Sequence, residues 1–310
     1  MLRVVAAVGT ILILAQGAPP RPPLRVAVNM TTVESAPVFL AAQGTAGGEM
    51  ALTGGGIPLL VDRTADAATN SETQILLRSV DNPELRIVMT VAECDYRIVA
   101  RRSAGIRRLV DLRGKKVGTP ANTSAEYYLS KMLRTVKLDE PDVTVVPMPV
   151  ADMAAAMKLG DVDAVSGWEP GAQDSIAALG ADAIVFQDRS VYRELFNLNT
   201  TAGVLSDPAK RRVLVDVVRA IAAASREVRA RPGEVRPLLS SRINVPQATI
   251  ATVWRHFRFP TSLPPDTLDV LVEEERWVAA RQKRSPRTRA QLQGLIDDSV
   301  LREATRVGKK

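Results

Sequence analysis

The amino-acid sequence predicts an α/β fold with two lobes built on one plan, followed by a helical C-terminal part. Strand, polar loop and helix follow one another twice: one unit begins with a strand over 24–28, and another with a strand over 116–118 and a helix over 124–133. Such alternation is typical of largely parallel sheets. From Ser206 onward the pattern is mostly helical, and prolines separate the segments. The candidate helices there are 207–230, 233–239, 246–255, 266–281 and 288–304.

A short internal repeat supports the two-lobe plan. Residues 64–72 (TADAATNSE) can be laid on residues 161–169 (DVDAVSGWE), which places Asp66 on Asp163 and a glutamate on a glutamate. Each copy has the pattern of a short buried strand that ends in a polar loop. The repeat and the paired strand–loop–helix units together predict two similar lobes.

The first residues predict export. Arg3 is followed by an apolar run over 4–14 and by small residues over 15–17, so residues 1–17 are interpreted as a signal peptide that is cleaved before Ala18. The run is shorter than the roughly 20 residues that a transmembrane helix needs. An uncleaved anchor or an N-terminal strand is the alternative. Because no cysteine adjoins the run, lipid attachment is not expected, and we expect a soluble periplasmic protein.

Motifs and composition argue against an enzyme, a metal site and a nucleic-acid partner. Cys94 and His256 are the only cysteine and histidine and lie far apart in the sequence, so neither a Cys–His dyad nor a zinc or copper site is expected. We interpret Cys94 as a buried apolar residue. No known phosphate-binding or dinucleotide-binding motif occurs, so no cofactor is expected. The formal net charge is +7, but the basic run over 281–289 has no interleaved aromatic residue for base stacking and is interpreted as a solvated helical face.

Five segments carry a resemblance to a known family. They are 65–73 (ADAATNSET), 96–101 (YRIVAR), 111–120 (DLRGKKVGTP), 123–129 (TSAEYYL) and 160–170 (GDVDAVSGWEP). Together they resemble the periplasmic substrate-binding proteins of ABC importers for nitrate, taurine and aliphatic sulfonates, a group that also includes binders of thiamine-precursor pyrimidines. The likeness covers about residues 24–205. Residues 43–49 (QGTAGGE) depart from the family pattern, because they lack the aromatic residues that are usual there.

The resemblance implies a type II periplasmic binding protein fold, in which two α/β lobes joined by a two-stranded hinge close on a ligand. The first lobe would comprise 24–98 and, with the helical tail, 200–310. The second lobe would comprise 99–199. The two hinge crossings are expected near 98–101 and 197–201.

The ligand is expected at the carboxyl ends of the strands, where open α/β sheets bind ligands. Four polar loops occupy such ends, namely 29–35, 69–73, 119–124 and 166–169. The residues expected to contact the ligand are Thr31, Thr32, Ser35, Ser71, Glu72, Asn122, Thr123, Ser124, Trp168, Glu169 and Asn199.

Structural roles for several of these residues stay open. Thr123 or Ser124 would either cap a helix or bind an anionic group, since the first N–H groups of a helix lack partners and its dipole favours negative charge. For three other residues the alternative to ligand contact is a structural role. Ser71 would cap a helix, Trp168 would belong to the core, and Asn199 would be a hinge residue. If an acid such as Glu72 or Glu169 faced the ligand, a zwitterion or a heterocycle would be favoured over a simple anion.

The resemblance implies a monomeric solute-binding component that captures a small polar ligand, such as a sulfonate, nitrate or a taurine-like molecule. Its partners would be the transmembrane subunits of an ABC permease with a cytoplasmic ATPase. One alternative is a periplasmic sensor-input module that acts on a receptor. Another is a pyrimidine-processing enzyme of the same fold, against which the export segment and the single histidine argue.

Overall fold

Two β-sheets and the helices around them are formed by the alternating segments of the sequence. The computed structural model describes residues 22–44 and 49–306, so the predicted signal peptide over 1–17 lies outside the described residues. The strands are β1 (Leu24–Val28), β2 (Met50–Gly54), β3 (Ala67–Ser71), β4 (Leu85–Cys94), β5 (Arg97–Arg101), β6 (Lys116–Thr119), β7 (Thr144–Pro147), β8 (Ala164–Gly167), β9 (Ala183–Phe186), β10 (Glu194–Thr201) and β11 (Phe257–Arg258). The helices are α1 (Ala36–Gln43), α2 (Pro58–Val61), α3 (Glu72–Arg78), α4 (Ser124–Thr135), α5 (Val150–Leu159), α6 (Gly171–Leu179), α7 (Ala202–Ser206), α8 (Pro208–Ala230), α9 (Pro232–Ile243), α10 (Gln247–Val253), α11 (Thr267–Arg281), α12 (Arg289–Gln293) and α13 (Ser299–Thr305).

Each sheet combines parallel and antiparallel strands. The first sheet has the order β11-β4-β10-β3-β1-β2, in which β1 runs parallel to β2 and β3 while β10 runs antiparallel to β3 and β4. The second sheet has the order β7-β6-β8-β5-β9, in which β6 runs parallel to β7 and β8 while β5 runs antiparallel to β8 and β9. The parallel pairs come from the strand–loop–helix units. The antiparallel pairs involve the strands by which the chain leaves or re-enters a sheet.

The internal repeat has the same structural role in both sheets. The side chain of Asp66 accepts a hydrogen bond from the backbone N–H of Arg25 at 3.0 Å, and the side chain of Asp163 accepts one from the backbone N–H of Lys116 at 2.9 Å. In return, the backbone N–H of each aspartate donates to the carbonyl oxygen of the same partner, at 2.8 and 2.9 Å. Each aspartate therefore ties the start of one strand to its parallel neighbour, which gives the repeat a physical cause.

Within the described residues, the chain passes between the two sheets twice. β4 ends at Cys94 and β5 begins at Arg97, whereas β9 ends at Phe186 and β10 begins at Glu194. Both passages lie before the crossings expected near 98–101 and 197–201. A second lobe that extended to 199 would include most of β10, which belongs to the first sheet.

The polar residues of β10 explain why a crossing was expected there. Asn197 and Asn199 are typical of a loop, yet both are buried inside the strand. Asn197 accepts a hydrogen bond from the Thr90 hydroxyl at 2.8 Å, and Asn199 donates to the carbonyl oxygen of Ala68 at 3.2 Å. Buried polar side chains are tolerated where such partners exist, and only the assembled sheet supplies them.

The C-terminal segments return to the first sheet. The helix predicted over 288–304 is interrupted, because α12 ends at Gln293 and α13 begins at Ser299. Between these helices, the backbone N–H of Ile87 donates to Leu295 at 2.7 Å, and that of Asp297 donates to Ile87 at 2.9 Å. Backbone groups that bond to the sheet edge cannot also bond within a helix, so the helix is broken here. Among the helices of the described ranges, none is both long and apolar enough to cross a bilayer.

Candidate functional site

A cavity of about 710 Å³ opens between the two sheets. All four polar loops at the strand ends contribute to it. Its described lining comprises Asn29, Thr32, Glu34, Asn70, Ser71, Gln74, Leu77, Arg78, Asp81, Asn82, Tyr96, Ala121, Asn122, Thr123, Ser124, Trp168, Glu194, Phe196 and Gln282. Hydroxyl, amide and carboxyl groups predominate in this lining, and aromatic side chains form part of one wall.

The cavity brings together about half of the residues that the sequence predicts as ligand contacts. Those that line it are Thr32, Ser71, Asn122, Thr123, Ser124 and Trp168. The structure places Thr31, Ser35, Glu72, Glu169 and Asn199 outside the lining. The side chains of the five residues outside the lining form hydrogen bonds or ion pairs within the protein.

Both carboxylate oxygens of Glu72 form hydrogen bonds inside the protein. One carboxylate oxygen accepts a hydrogen bond from the Tyr192 hydroxyl at 2.6 Å, and the other accepts one from the backbone N–H of Leu195 at 2.8 Å. The side chain is fully buried, and this burial raises the pKa of Glu72 to about 7. Glu72 therefore joins α3 to the chain that leads into β10 and does not face the cavity.

The carboxylate of Glu169 also has its partners inside the protein. It is fully buried and forms an ion pair with the buried guanidinium of Arg97, and it also accepts a hydrogen bond from the backbone N–H of Gln173 at 3.1 Å. Arg97 begins β5, directly after the first passage between the sheets. The pair therefore fixes the start of α6 to the hinge-side end of β5.

Three smaller polar residues also form hydrogen bonds within the protein. The Thr31 hydroxyl donates to the side chain of Asn29 at 2.9 Å, and Thr31 is exposed. The Ser35 hydroxyl donates to the carbonyl oxygen of Asn29 at 2.7 Å. Asn199 lies inside β10, as described above. Thr31 and Ser35 therefore shape the loop that carries Asn29 and Thr32 into the cavity.

The start of α4 meets the cavity through three consecutive residues. The Thr123 hydroxyl accepts from the backbone N–H of Ala125 at 3.2 Å and donates to the carbonyl oxygen of Pro120 at 2.8 Å, so Thr123 is the N-cap of the helix. The hydroxyl of the buried Ser124 lies 2.9 Å from that of Tyr96. Asn122 forms a bridge across the cavity, because its carbonyl oxygen accepts from the Gln74 side chain at 2.9 Å.

Tyr96 and Trp168 form an aromatic wall. Their ring centroids are 6.0 Å apart, and Tyr96 also packs edge-on against Tyr128 and Tyr192 at 6.0 and 5.5 Å. Trp168 follows β8 and is partly exposed. Aromatic side chains in this arrangement offer an apolar surface with fixed geometry to the non-polar part of a ligand.

Two acids at the floor of the cavity were not predicted as site residues. Glu34 and Glu194 are both buried. Burial raises the pKa of Glu34 to about 7, and burial together with the charge of Glu34 raises the pKa of Glu194 well above its ordinary range. Glu34 lies in the polar loop over 29–35, where the sequence favoured the hydroxyl residues. Glu194 begins a strand, and no motif in the sequence marks it.

The described lining offers an anion more hydrogen-bond donors than basic groups. Of the described lining residues, Glu34, Asp81 and Glu194 are acids, and Arg78 is the one base. Arg78 is exposed, whereas the acids Glu34 and Glu194 are buried. A buried anion is stable only where a cation or several hydrogen-bond donors compensate it.

Comparison with known proteins identifies a matching family and a related protein. The family model described as NMT1/THI5 like matches residues 52–234 of this chain. A protein of Escherichia coli (strain K12) named "Putative aliphatic sulfonates-binding protein" is 24% identical over 179 residues, which is 58% of this chain and 55% of that protein. The alignment thus spans about half the length of this relative.

Solved structures share the fold across nearly the whole chain. The alkanesulfonate-binding protein SsuA from Xanthomonas axonopodis pv. citri, bound to MOPS, has a TM-score of 0.72 at 17% identity and covers 90% of this chain and 99% of its own. The periplasmic nitrate-binding protein NrtA from Synechocystis PCC 6803 has a TM-score of 0.72 at 14% identity, with 93% and 89% covered. The desulfurization enzyme DSZB has a TM-score of 0.62 at 16% identity, with 92% and 99% covered.

These similarities confirm the predicted two-lobed binding-protein fold. Two of the structures are named as binding proteins and one as an enzyme. A fold shared by both classes does not decide between binding and catalysis, so function has to be argued from the cavity.

Proposed function

Since the chain belongs to the NMT1/THI5-like family, we propose that it is the solute-binding component of an ABC importer. It is exported through the segment 1–17, binds a small polar ligand in the periplasm, and delivers it to the transmembrane subunits of a permease that an ATPase drives from the cytoplasm. The observation that carries this proposal is the polar cavity between two sheets, which are connected by two passages of the described chain. Such a connection allows hinge closure on a ligand.

The cavity lining supports binding without turnover. Hydroxyl and amide groups of Ser71, Asn29 and Asn70 lie at the ends of β1 and β3, and the start of α4 lies on the opposite side. These groups are neutral hydrogen-bond donors that suit the oxygens of a sulfonate. The described lining contains no histidine or cysteine that could form a nucleophile and its base.

The aromatic wall gives the ligand a second feature. A short alkyl chain would lie against Trp168 and Tyr96, while the oxyanion would bond to the polar loops. An alkanesulfonate or an aminoalkanesulfonate has both features, whereas nitrate has only the oxyanion. We therefore place sulfonates before nitrate as the ligand class.

A binding experiment tests the proposal. Thermal shift and calorimetry would compare ethanesulfonate, taurine and nitrate, and we expect a sulfonate to raise the melting temperature and to bind more tightly than nitrate. Trp168→Ala should weaken that binding by more than about tenfold, which corresponds to about 1.4 kcal/mol. Trp254→Ala is the matched control, because Trp254 packs against Phe259 outside the cavity lining. Equal binding by the parent and Trp168→Ala would place the ligand elsewhere, and the absence of binding by all three compounds would reject the ligand class.

A further inference from the structure

Three side chains with metal-ligating atoms meet beside the cavity, and two of them, Glu34 and Glu194, line it. Glu34, Cys94 and Glu194 each place one ligand atom within 4.8 Å of the other two, and all three residues are buried. Cys94 ends β4 and Glu194 begins β10, and the two residues are directly paired across these neighbouring strands. Glu34 reaches them from the loop that follows β1. Two rigid strands and one short loop therefore hold the three groups together.

Unpartnered oxygen atoms point to a ligand at this place. One carboxylate oxygen of Glu34 and one of Glu194 are buried without a hydrogen-bond partner in the described residues, and so is the hydroxyl oxygen of Thr32. All three residues also line the cavity. A buried polar atom without a partner is costly, and a buried carboxylate is more costly still. A cation bound among these atoms would remove the cost for both acids at once.

The donor set selects the kind of cation. Mg²⁺ and Ca²⁺ take oxygen ligands and do not favour a thiolate. Cu⁺ prefers sulfur ligands, of which only one is present here. Zn²⁺ accepts thiolate and carboxylate together, commonly as three protein ligands with a fourth position for water or substrate.

The distances permit such a site after small side-chain rotations. Zn²⁺ lies about 2.3 Å from a cysteine sulfur and about 2.0–2.2 Å from a carboxylate oxygen, so ligand atoms around a tetrahedral ion are about 3.5 Å apart. The three groups start no further apart than 4.8 Å. Because Glu34 and Glu194 line the cavity, an ion can enter from it.

We propose that Glu34, Cys94 and Glu194 bind a Zn²⁺ ion whose fourth coordination position faces the cavity. The proposal goes beyond the solute-binding function and does not depend on it, because the ion alone is the ligand. Two carboxylates and one thiolate would outweigh the 2+ charge of the ion, so the fourth position would take water or another neutral donor.

Metal titration of the full-length chain tests the proposal. After treatment with a chelator, calorimetry should show one Zn²⁺ per chain. Co²⁺ should produce a near-ultraviolet charge-transfer band that is typical of a thiolate ligand and that Zn²⁺ removes. Cys94→Ser should abolish the band, and Glu194→Gln should weaken Zn²⁺ binding by more than about tenfold, since even residues that only support metal ligands contribute about 10–100-fold.

The controls separate coordination from general electrostatics and from misfolding. Asp81→Asn removes an exposed acid of the cavity lining and should leave both the band and the Zn²⁺ affinity unchanged. Circular dichroism would verify folding, and Cys94→Ala provides a second variant with a small apolar side chain.

Four outcomes would overturn the proposal. The first two are a folded parent chain that binds no Zn²⁺ and a Co²⁺ band that persists in Cys94→Ser and Cys94→Ala. The third is an equal loss of Zn²⁺ affinity in Asp81→Asn and Glu194→Gln. The fourth is stabilisation of the protein by ethanolamine but not by Zn²⁺. The last result would assign the acids to an organic cation. Sulfonate binding by the chelated protein is measured separately, so failure of the metal site and failure of the solute-binding function are distinguishable.

Discussion

The substitution Thr123→Ala separates helix capping from ligand binding at the start of α4. The Thr123 hydroxyl accepts a hydrogen bond from the backbone N–H of Ala125 at 3.2 Å and donates one to the carbonyl oxygen of Pro120 at 2.8 Å. The hydroxyl hydrogen and one acceptor position of the oxygen are therefore already used within the protein. Loss of such a cap costs about 1 kcal/mol. For a chain of this size, that loss lowers the melting temperature by about 2 °C. Because the hydroxyl is already committed, the affinity for a sulfonate should change by less than about twofold.

Thr288→Ala is the matched control for this prediction. Thr288 is the N-cap of α12, where its hydroxyl accepts from the backbone N–H of Gln291 at 3.3 Å, and it is not part of the cavity lining. Calorimetric unfolding and ligand titration would be measured for both variants, and we expect similar losses of stability with unchanged affinity. A fall in affinity of more than about tenfold for Thr123→Ala alone, with an unchanged melting temperature, would refute the reasoning. The hydroxyl would then be a ligand contact.

Three other predictions concern stability and motion. Burial alone would raise the pKa of Asp66, but hydrogen bonds from Arg25 and Lys210 lower it to about 2 from 3.8. The resulting stabilisation of the folded state is therefore present above about pH 4 and is lost as the pH falls towards 2. In denaturant titrations, Asp66→Asn should lower the free energy of unfolding by about 2 kcal/mol at pH 7 and by little near pH 2. Equal stability of the two proteins at pH 7 would contradict this. Glu169→Ala leaves Arg97 buried and unpaired and should cost about 3–5 kcal/mol in the same assay, and a loss below about 1 kcal/mol would show that the pair is not needed. Saturating ligand should reduce the radius of gyration in small-angle scattering, and an unchanged radius in a sample that binds ligand would argue against hinge closure.

Local sequence patterns were sufficient to predict the plan of the fold and the position of the cavity. Alternating strands and helices predicted two α/β lobes, and the repeat around Asp66 and Asp163 marks equivalent strands in both sheets. These features are local, because periodicity and turn chemistry act over a few residues. The rule that ligands bind at the carboxyl ends of strands then placed Ser71, Ser124 and Trp168 in the lining.

Which acids face the cavity depends on long-range contacts in the folded chain. Glu72 and Glu169 have the sequence context of site residues, but their carboxylates meet Tyr192, 120 residues away, and Arg97, 72 residues away. Sequence pattern does not show whether a carboxylate has found such a partner, and a carboxylate that has one is no longer free for a ligand.

The same limit explains why the proposed metal site was not expected from the sequence. Glu34, Cys94 and Glu194 have no recognisable spacing, and the expectation of no metal rested on the single cysteine and the single histidine. Strand pairing between β4 and β10 sets Cys94 opposite Glu194, and the loop after β1 adds Glu34. Metal ligands need proximity in space rather than in sequence. Long-range strand pairing creates that proximity, and local patterns do not record it.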